Sequence, residues 1–136
     1  MPKNNSINIK MSENCIHIIG GGLAGCEAAY QISKFGIKTC LYEMRPKVKT
    51  EVHKTKLLAE LVCSNSFRSD DLSYNAVGVL HEELRISGSL IMKAADNTRI
   101  PAGSALAVDR EKFSTFIDKE IKSNSNIKFI NKEVTS

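Results

Sequence analysis

The hydrophobic positions of this chain follow two repeats, one typical of buried strands and one typical of helices that lie on a sheet. Short apolar runs at residues 15–19, 38–42 and 127–130 predict three strands. Between the first two strands, residues 23–35 carry small and apolar side chains three and four positions apart, which predicts a helix packed closely on a sheet. The chain therefore opens as strand, helix, strand, which is typical of a parallel α/β unit.

The pattern changes over a long segment that precedes the third strand. Residues 57–61 favour a short apolar helix, and residues 62–68 are rich in turn-forming side chains. Residues 75–86 predict a helix with Val79, Leu80 and Leu84 at its apolar positions. The apolar stretch 90–95 fits no single element, and Pro101 and Gly103 mark a loop. This segment greatly expands the crossover between the second and third strands.

A last helix precedes the third strand. Asp109 is a good N-cap, and Val108 and Phe113 are spaced to pack across it as a hydrophobic staple. Apolar side chains follow from Phe113 at helical spacing, which predicts a helix over residues 109–122. The order strand, helix, strand, insertion, helix, strand predicts an α/β fold with an enlarged crossover.

The turn between the first strand and the first helix is rich in glycine and reads Gly20, Gly21, Gly22, Leu23, Ala24, Gly25. In a dinucleotide-binding fingerprint, Gly20 allows the tight turn, Gly22 lets the backbone approach a pyrophosphate, and Gly25 lets the helix pack on the sheet. The helix N-terminus stabilises the phosphate charge without a basic side chain. The fold class is therefore a Rossmann-like FAD- or NAD-binding half-domain.

An acidic residue at the end of the second strand supports this interpretation. Glu43 lies about 20 residues beyond the glycines, where a carboxylate accepts hydrogen bonds from an adenosine ribose. A carboxylate there repels the 2′-phosphate of NADP, although Arg45 two residues later weakens the objection. FAD or NAD is the expected ligand, and a helix-start turn with a solvated glutamate is the structural alternative.

Length and composition bound the domain organisation. A chain of 136 residues with 42% hydrophobic side chains suits one domain. Residues 1–12 predict a polar tail, in which Met11 is a second candidate start, and residues 13–136 predict an N-terminal FAD-binding domain. FAD normally lies across a complete doubly wound sheet, so we expect this domain to be truncated.

The net charge of +4 permits nucleic-acid contact without requiring it. Much of it lies in one segment, which carries Arg45, Lys47, Lys49, Lys54 and Lys56. The segment has no apolar periodicity, which is typical of a solvated, mobile loop. The alternative is a patch that contacts RNA phosphates.

The four cysteines are Cys15, Cys26, Cys40 and Cys63, and their spacing fits no zinc motif. We therefore expect no metal site, no disulfide and a reducing cytoplasm, since no signal peptide or membrane segment is evident. Cysteines in strands or in a first helical turn usually pack as small hydrophobes. Cys63 differs, because Ser64, Asn65 and Ser66 beside it can hydrogen-bond a thiolate nucleophile, with a buried structural thiol as the alternative.

Several runs of this sequence resemble the folate- and FAD-dependent tRNA (uracil-5-)-methyltransferase family. The more specific runs are Glu-Met-Arg-Pro at 43–46 and Glu-Leu-Val-Cys-Ser-Asn-Ser at 60–66, and the glycine run, Asn-Ala-Val-Gly-Val-Leu at 75–80 and Pro-Ala-Gly-Ser-Ala-Leu-Ala-Val-Asp-Arg at 101–110 accompany them. The similarity spans roughly residues 15–134.

The resemblance implies methyl transfer to C5 of a T-loop uridine in tRNA, with methylenetetrahydrofolate as carbon donor, NAD(P)H as co-substrate and reduced flavin as source of electrons. It implies that residues 20–25 bind the FAD phosphates, that Glu43 takes the adenosine ribose and that Val134 offers backbone groups to the adenine. Cys63 matches a loop cysteine near the flavin with a role in holding or protecting the one-carbon intermediate.

The chain departs from this family in length, because full members are about three times longer. Most of the folate and tRNA surfaces lie beyond residue 136, so a complementary C-terminal fragment is an expected partner. The related flavin-dependent tRNA wobble-uridine modification enzyme shares the glycine turn but differs at residues 62–66. A non-catalytic nucleotide- or RNA-binding module is the alternative from another class, and the sequence indicates no oligomeric state.

Overall fold

The structure is a computed structural model that describes residues 14–48 and 50–135. The predicted polar tail, Met11 and Lys49 lie outside the described residues. In chain order the elements are β1 Ile16–Ile19, α1 Leu23–Ser33, β2 Thr39–Glu43, β3 Ser66–Ser69, α2 Ala76–Ile86, α3 Leu90–Asn97, β4 Arg99–Ile100, β5 Ala105–Val108, α4 Arg110–Ser123 and β6 Ile127–Asn131.

The three predicted strands form one parallel sheet in the order β1-β2-β6. Ile18 pairs with Leu41, and Leu41 pairs with Phe129. The central strand β2 is buried along its whole length, as expected for a parallel strand with neighbours on both sides. This order is that of one half of a doubly wound sheet, so the predicted α/β fold class is confirmed.

Helices α1 and α4 cover one face of this sheet and form the core with it. Leu41 from β2 is fully buried together with Cys26 and Ala29 of α1 and with Phe113 and Ile117 of α4. Burying each large apolar side chain stabilises the fold by about 1.5–3 kcal/mol. The small residues of α1 allow this helix to approach the sheet, which is the packing predicted from its sequence.

The expanded crossover contains a second sheet that the sequence pattern did not predict. Its antiparallel strands follow the order β3-β5-β4. Strand β3 lies in the segment expected to be turns, and β5 follows the expected loop at Pro101 and Gly103. The predicted helix at 57–61 is wrong, because those residues form a turn whose Ala59 has φ +51°.

The unassigned stretch 90–95 forms α3, and a carboxylate from another helix explains why it starts there. Glu27 of α1 accepts hydrogen bonds from the Leu90 and Ile91 amides at 3.1 and 2.9 Å and from the Ser89 hydroxyl at 2.7 Å. Ser89 itself is the N-cap and accepts from the Met92 amide. Helix N-termini favour such acceptors and negative charge. Glu27 therefore attaches the inserted segment to the parallel α/β unit.

Helix α2 occurs where it was predicted, but with a different face inward. Val79, Leu80 and Leu84 are 38–51% exposed, whereas Gly78 and His81 are buried. A Cβ at Gly78 would lie 2.3 Å from the Asp71 carbonyl oxygen, so the helix backbone packs directly on that turn.

Across the residues that the structure describes, no helix is long and apolar enough to cross a membrane.

The first prediction concerns Glu27→Gln. Burial raises the pKa of Glu27, but hydrogen bonds from Gln31, the Ile91 amide and Ser89 outweigh it and hold the pKa below its ordinary value. Glutamine loses the charge and turns an N–H₂ toward the amides of α3. We expect urea denaturation at pH 7 to show a loss of about 1–3 kcal/mol, the range for hydrogen bonds to a charged group.

The control is Glu83→Gln, an exposed position on α2, which should change stability by less than about 0.5 kcal/mol. Because the folded-state pKa of Glu27 is lowered, its contribution is present above the ordinary value of 4.5 and is lost as pH falls through the folded-state value. The difference between Glu27→Gln and the parent chain should shrink in acid. A difference that stays constant from pH 7 into acid would contradict this account.

Candidate functional site

The glycine turn forms the floor of the candidate site. Gly20 follows β1 with φ +102°, a conformation that L side chains rarely adopt, and its amide donates to the Tyr42 carbonyl at 2.8 Å. Gly22 is the N-cap of α1, and among the described residues no side chain caps that N-terminus. The first turn carries no acidic residue. The free amides and the positive end of the helix dipole suit an anion.

Gly25 and Gly22 of the turn have different surroundings. A Cβ at Gly25 would lie 1.9 Å from the Gly20 carbonyl oxygen, so α1 approaches the turn in a way that only glycine permits. A Cβ at Gly22 would meet nothing within 4 Å in the described part of the chain. Gly25 is therefore needed for packing, whereas the space at Gly22 is open to a ligand.

The turn opens into a cleft of about 340 Å³ at the carboxyl end of the parallel strands. The residues that line it are Ile19, Gly20, Gly21, Gly22, Tyr42, Glu43, Met44, Arg45, His53, Lys132, Glu133 and Val134. The structure thus brings together six of the predicted residues: Gly20, Gly21, Gly22, Glu43, Arg45 and Val134. Leu23, Ala24 and Gly25 lie behind the turn in α1. Ligands of doubly wound folds bind at this end of the strands.

Glu43 is held at the centre of the site by a buried ion pair. Its carboxylate accepts from the Gly21 amide at 3.0 Å, the Arg45 amide at 2.9 Å, and Nε and Nη2 of Arg45 at 3.0 Å each. Burial raises the pKa of Glu43, but the hydrogen bonds and charge of Arg45 outweigh burial and keep it below its ordinary value. The carboxylate is ionised and each of its oxygens has two donors, so a ribose hydroxyl must share an oxygen with them.

Arg45 does not belong to an exposed basic patch. It is 4% exposed, and its Nη1 also lies 3.3 Å from Glu60. Lys47, Lys54 and Lys56 remain exposed. The expectation of a solvated loop is therefore wrong for Arg45, because its guanidinium joins two carboxylates.

The segment after this loop docks on the glycine turn through contacts that the sequence did not reveal. The Ala59 amide donates to the Gly21 carbonyl at 2.8 Å, and its own carbonyl accepts from the Ser114 hydroxyl at 3.2 Å. The Leu58 amide donates to Asp118 of α4 at 3.2 Å. These bonds explain the turn at 57–61. An alanine with positive φ carries no sequence signal that could have predicted it.

Cys63 is exposed and lies outside the residues that line the cleft. Its carbonyl accepts from Nη2 of Arg110 at 3.1 Å. Asn65 and Val108 exchange two hydrogen bonds, of 2.9 and 3.1 Å, which attach the same loop to the start of α4. Arg110 was not predicted to anchor this loop.

Burial raises the pKa of Cys26 to about 12, so that cysteine is a neutral packing thiol.

Comparison with known proteins places this geometry in a family. Residues 15–136 match the model of the family described as glucose inhibited division protein A. The chain belongs to the glucose inhibited division protein A family. The family match covers every predicted site residue, from the glycine turn to Val134.

Within that family, the chain is similar to proteins named methylenetetrahydrofolate--tRNA-(uracil-5-)-methyltransferase TrmFO. It is 58% identical over 126 residues to the protein of Bartonella tribocorum, covering 93% of this chain and 27% of the relative. It is 60% identical over 119 residues to the Bartonella henselae protein, covering 88% and 25%. The resemblance stated from the sequence is confirmed, and the chain spans about a quarter of the length of these relatives.

A solved structure of the same family shows the same fold. Aquifex aeolicus GidA superposes with a TM-score of 0.67 at 21% identity, over 88% of this chain and 19% of that one. Thermovibrio ammonificans THI4 superposes with a TM-score of 0.50 at 18% identity. At these identities the likeness shows a shared fold only.

The second prediction separates the two glycines of the family turn. We expect Gly25→Ala to lower the free energy of unfolding by about 1–3 kcal/mol, since a crowded backbone must move to accept the methyl group. Gly22→Ala should cost less than about 1 kcal/mol, because its Cβ meets open space and only a cap preference is lost. Urea denaturation of both variants measures the difference. Equal losses would show that Gly25 is not a packing position.

Proposed function

We propose that this chain is the FAD-binding N-terminal part of a tRNA (uracil-5-)-methyltransferase. The observation that carries the proposal is the cleft, in which an uncapped helix N-terminus faces open space beside a fixed carboxylate. The curated relatives, at 58 and 60% identity, are named for this activity. Because the chain spans about a quarter of their length, the complete reaction requires further sequence.

The residues present fit FAD. The Gly20 and Gly21 amides already have acceptors, so the free amides at the N-terminus of α1 would hold the pyrophosphate, and the open space at Gly22 leaves room for it. Glu43 would accept a ribose hydroxyl that shares its oxygens with Arg45, and Val134, which lines the same cleft, would contact the adenine. Bound flavin, once reduced, supplies the electrons for methyl transfer. NAD would use the same groups, whereas the 2′-phosphate of NADP would meet the Glu43 carboxylate.

We assign Cys63 a role in the chemistry because its side chain is exposed and its backbone is anchored. A thiol on the surface of this chain can be reached by groups bound elsewhere, whereas Cys26 is fully buried. Arg110 holds the carbonyl of Cys63 itself, and Asn65 anchors the backbone two residues later. A fixed backbone orients the thiol toward a reacting group at little entropic cost.

The carbon donor, the reductant and the tRNA would be bound only in part by this chain. Methylenetetrahydrofolate would donate the carbon, NAD(P)H would reduce the flavin, and the T-loop of tRNA would be the acceptor. The exposed Lys47, Lys54 and Lys56 are available for RNA phosphates. A complementary C-terminal segment would supply the other binding surfaces, and the reaction would take place in the cytoplasm, where free thiols persist.

The third prediction tests the cofactor. The unaltered chain should bind FAD more tightly than FMN, which lacks the adenosine and the second phosphate, in a titration followed by flavin fluorescence. Gly22→Val should weaken FAD binding at least tenfold, because its side chain occupies the space left for the pyrophosphate. FMN binding should change less, since FMN has no pyrophosphate.

The matched control is Ala28→Val, an exposed position farther along α1. This variant introduces the same valine side chain on α1 without entering the cleft, so its FAD affinity should equal that of the parent. Circular dichroism checks that both variants are folded. Equal affinity of the parent for FAD and FMN, or full FAD binding by Gly22→Val, would overturn the assignment of this turn.

The fourth prediction tests Cys63. A chimera in which this chain replaces the corresponding N-terminal quarter of the Bartonella henselae protein should methylate T-loop RNA when supplied with methylenetetrahydrofolate, NADPH and FAD. Cys63→Ala in the chimera should lower the rate at least tenfold, which is about the smallest effect of losing a chemical participant. Flavin content and melting temperature should stay the same, because the thiol is exposed.

Cys26→Ala is the control in the same chimera. It removes a fully buried thiol, so it should lower stability while the rate for each flavin-loaded molecule is retained. Full activity of Cys63→Ala would exclude its chemical role. A chimera that binds FAD but never methylates RNA would favour the non-catalytic nucleotide-binding module instead.

A further inference from the structure

Three metal-binding side chains meet at the end of the parallel sheet opposite the nucleotide cleft. His17 of β1 pairs with Cys40 of β2, and Cys15 precedes His17 by two positions, so the three side chains share one side of the sheet. Both Sγ atoms and one ring nitrogen of His17 all lie within 4.8 Å of one another. The cysteine spacing along the chain predicted no metal site, because it does not show that β1 and β2 are neighbours.

Among the described residues, one ring nitrogen of His17 has a hydrogen-bond partner and the other has none. Its Nδ1 lies 2.9 Å from the Tyr42 hydroxyl, and the two rings stack at 5.7 Å between centroids. Its Nε2 is buried, and no described residue forms a hydrogen bond with it. Leaving a buried polar atom without a partner costs about 1–3 kcal/mol, so such an atom calls for a ligand. A second residue that orients the imidazole, as Tyr42 does, is typical of metal-bound histidines.

The donor set selects the class of ion. Two thiolates and an imidazole are ligands that zinc prefers, whereas magnesium and calcium prefer oxygen. A tetrahedral zinc ion holds such donor atoms about 3.5–3.8 Å apart, given Zn–S and Zn–N bonds of about 2.3 and 2.0 Å. The observed group, within 4.8 Å, reaches that spacing by contracting about 1 Å. Rotations of cysteine side chains supply movements of this size.

The thiols can also be reached from solvent. A depression of about 480 Å³ at the amino end of the strands is lined by Cys15 and Cys40, together with Lys38, Lys128 and the turn before β6. Cys15 is half-buried and Cys40 is buried. An ion can therefore reach the two thiols from this depression.

We propose that Cys15, His17 and Cys40 form a zinc site with three protein ligands and one position open to water or another small ligand. The site is independent of the proposed function, because it lies at the opposite end of the strands from the glycine turn. It differs from a structural site with four protein ligands, which has no open position. Binding deprotonates the two thiols and holds β1 to β2 beyond their backbone hydrogen bonds.

The test uses Co²⁺ as a spectroscopic probe and Zn²⁺ as its competitor, with the 136-residue chain kept reduced. One equivalent of Co²⁺ should produce a thiolate-to-cobalt charge-transfer band and the visible bands of tetrahedral coordination, and one equivalent of Zn²⁺ should abolish them. Cys15→Ser, Cys40→Ser and His17→Phe should each weaken binding at least tenfold. Cys63→Ser, which removes the exposed thiol, should bind like the parent.

A second measurement uses the unaltered chain, so that it does not depend on how the variants fold. Zn²⁺ should slow alkylation of Cys15, followed by peptide mass mapping, and leave the alkylation rate of Cys63 unchanged. Absence of the charge-transfer band, protection of Cys63 instead of Cys15, or a Cys15–Cys40 disulfide that forms in air while the reduced chain binds no metal would each overturn the proposal.

Discussion

The buried pair of Glu43 and Arg45 is the interaction on which the cleft at the carboxyl end of the parallel strands depends. Through the Gly21 amide, Glu43 fixes the glycine turn to the end of β2. Through Arg45 and Glu60, the same pair fixes the irregular segment that follows. A buried carboxylate is tolerated only when donors replace its water. Glu43 therefore determines both the position of the turn and the path of the chain that closes one side of the cleft.

Glu27 performs the equivalent task for the inserted segment. It lies on α1, directly behind the glycine turn, and caps α3 from a different part of the chain. The core between α1, α3 and α4 is apolar and sets no direction by itself. A charged acceptor at the N-terminus of α3 does set one, because only that end of a helix presents free amides. Helix α1 thus presents the free amides of its N-terminus to the cleft and the carboxylate of Glu27 to the inserted segment.

Elements that depend on interactions between nearby residues were predicted from the sequence, and elements that depend on contacts between distant residues were not. The strands around Ile18, Leu41 and Phe129 and the helix after Asp109 were predicted, because local periodicity and caps specify them. The antiparallel sheet of the insertion was not, since β3 and β5 pair across a long stretch of chain and neither shows alternation. The start of α3 depends on Glu27, which no local pattern links to Ser89.

In the candidate site, too, some residues were predicted from the sequence, whereas others depend on contacts between distant parts of the chain. The glycines, Glu43 and Val134 were identified from a known fingerprint and a family resemblance, and the structure brings most of them to one cleft. The burial of Arg45 could not be predicted, because its charge suggested solvent and its partner Glu60 lies beyond an irregular segment. The juxtaposition of Cys15 with Cys40 likewise depends on strand register, which spacing along the chain does not contain.

Under the proposed function, the charges around the cleft would favour FAD or NAD over NADP. Arg45 lies between Glu43 and Glu60, and one guanidinium between two carboxylates leaves one net negative charge. This charge lies against the glycine turn, because Glu43 accepts from the Gly21 amide, whereas no described side chain caps the N-terminus of α1 that begins one residue later. Under the proposed function, a pyrophosphate would be attracted by the helix dipole of α1, while a phosphate on the ribose would be repelled by the Glu43 carboxylate.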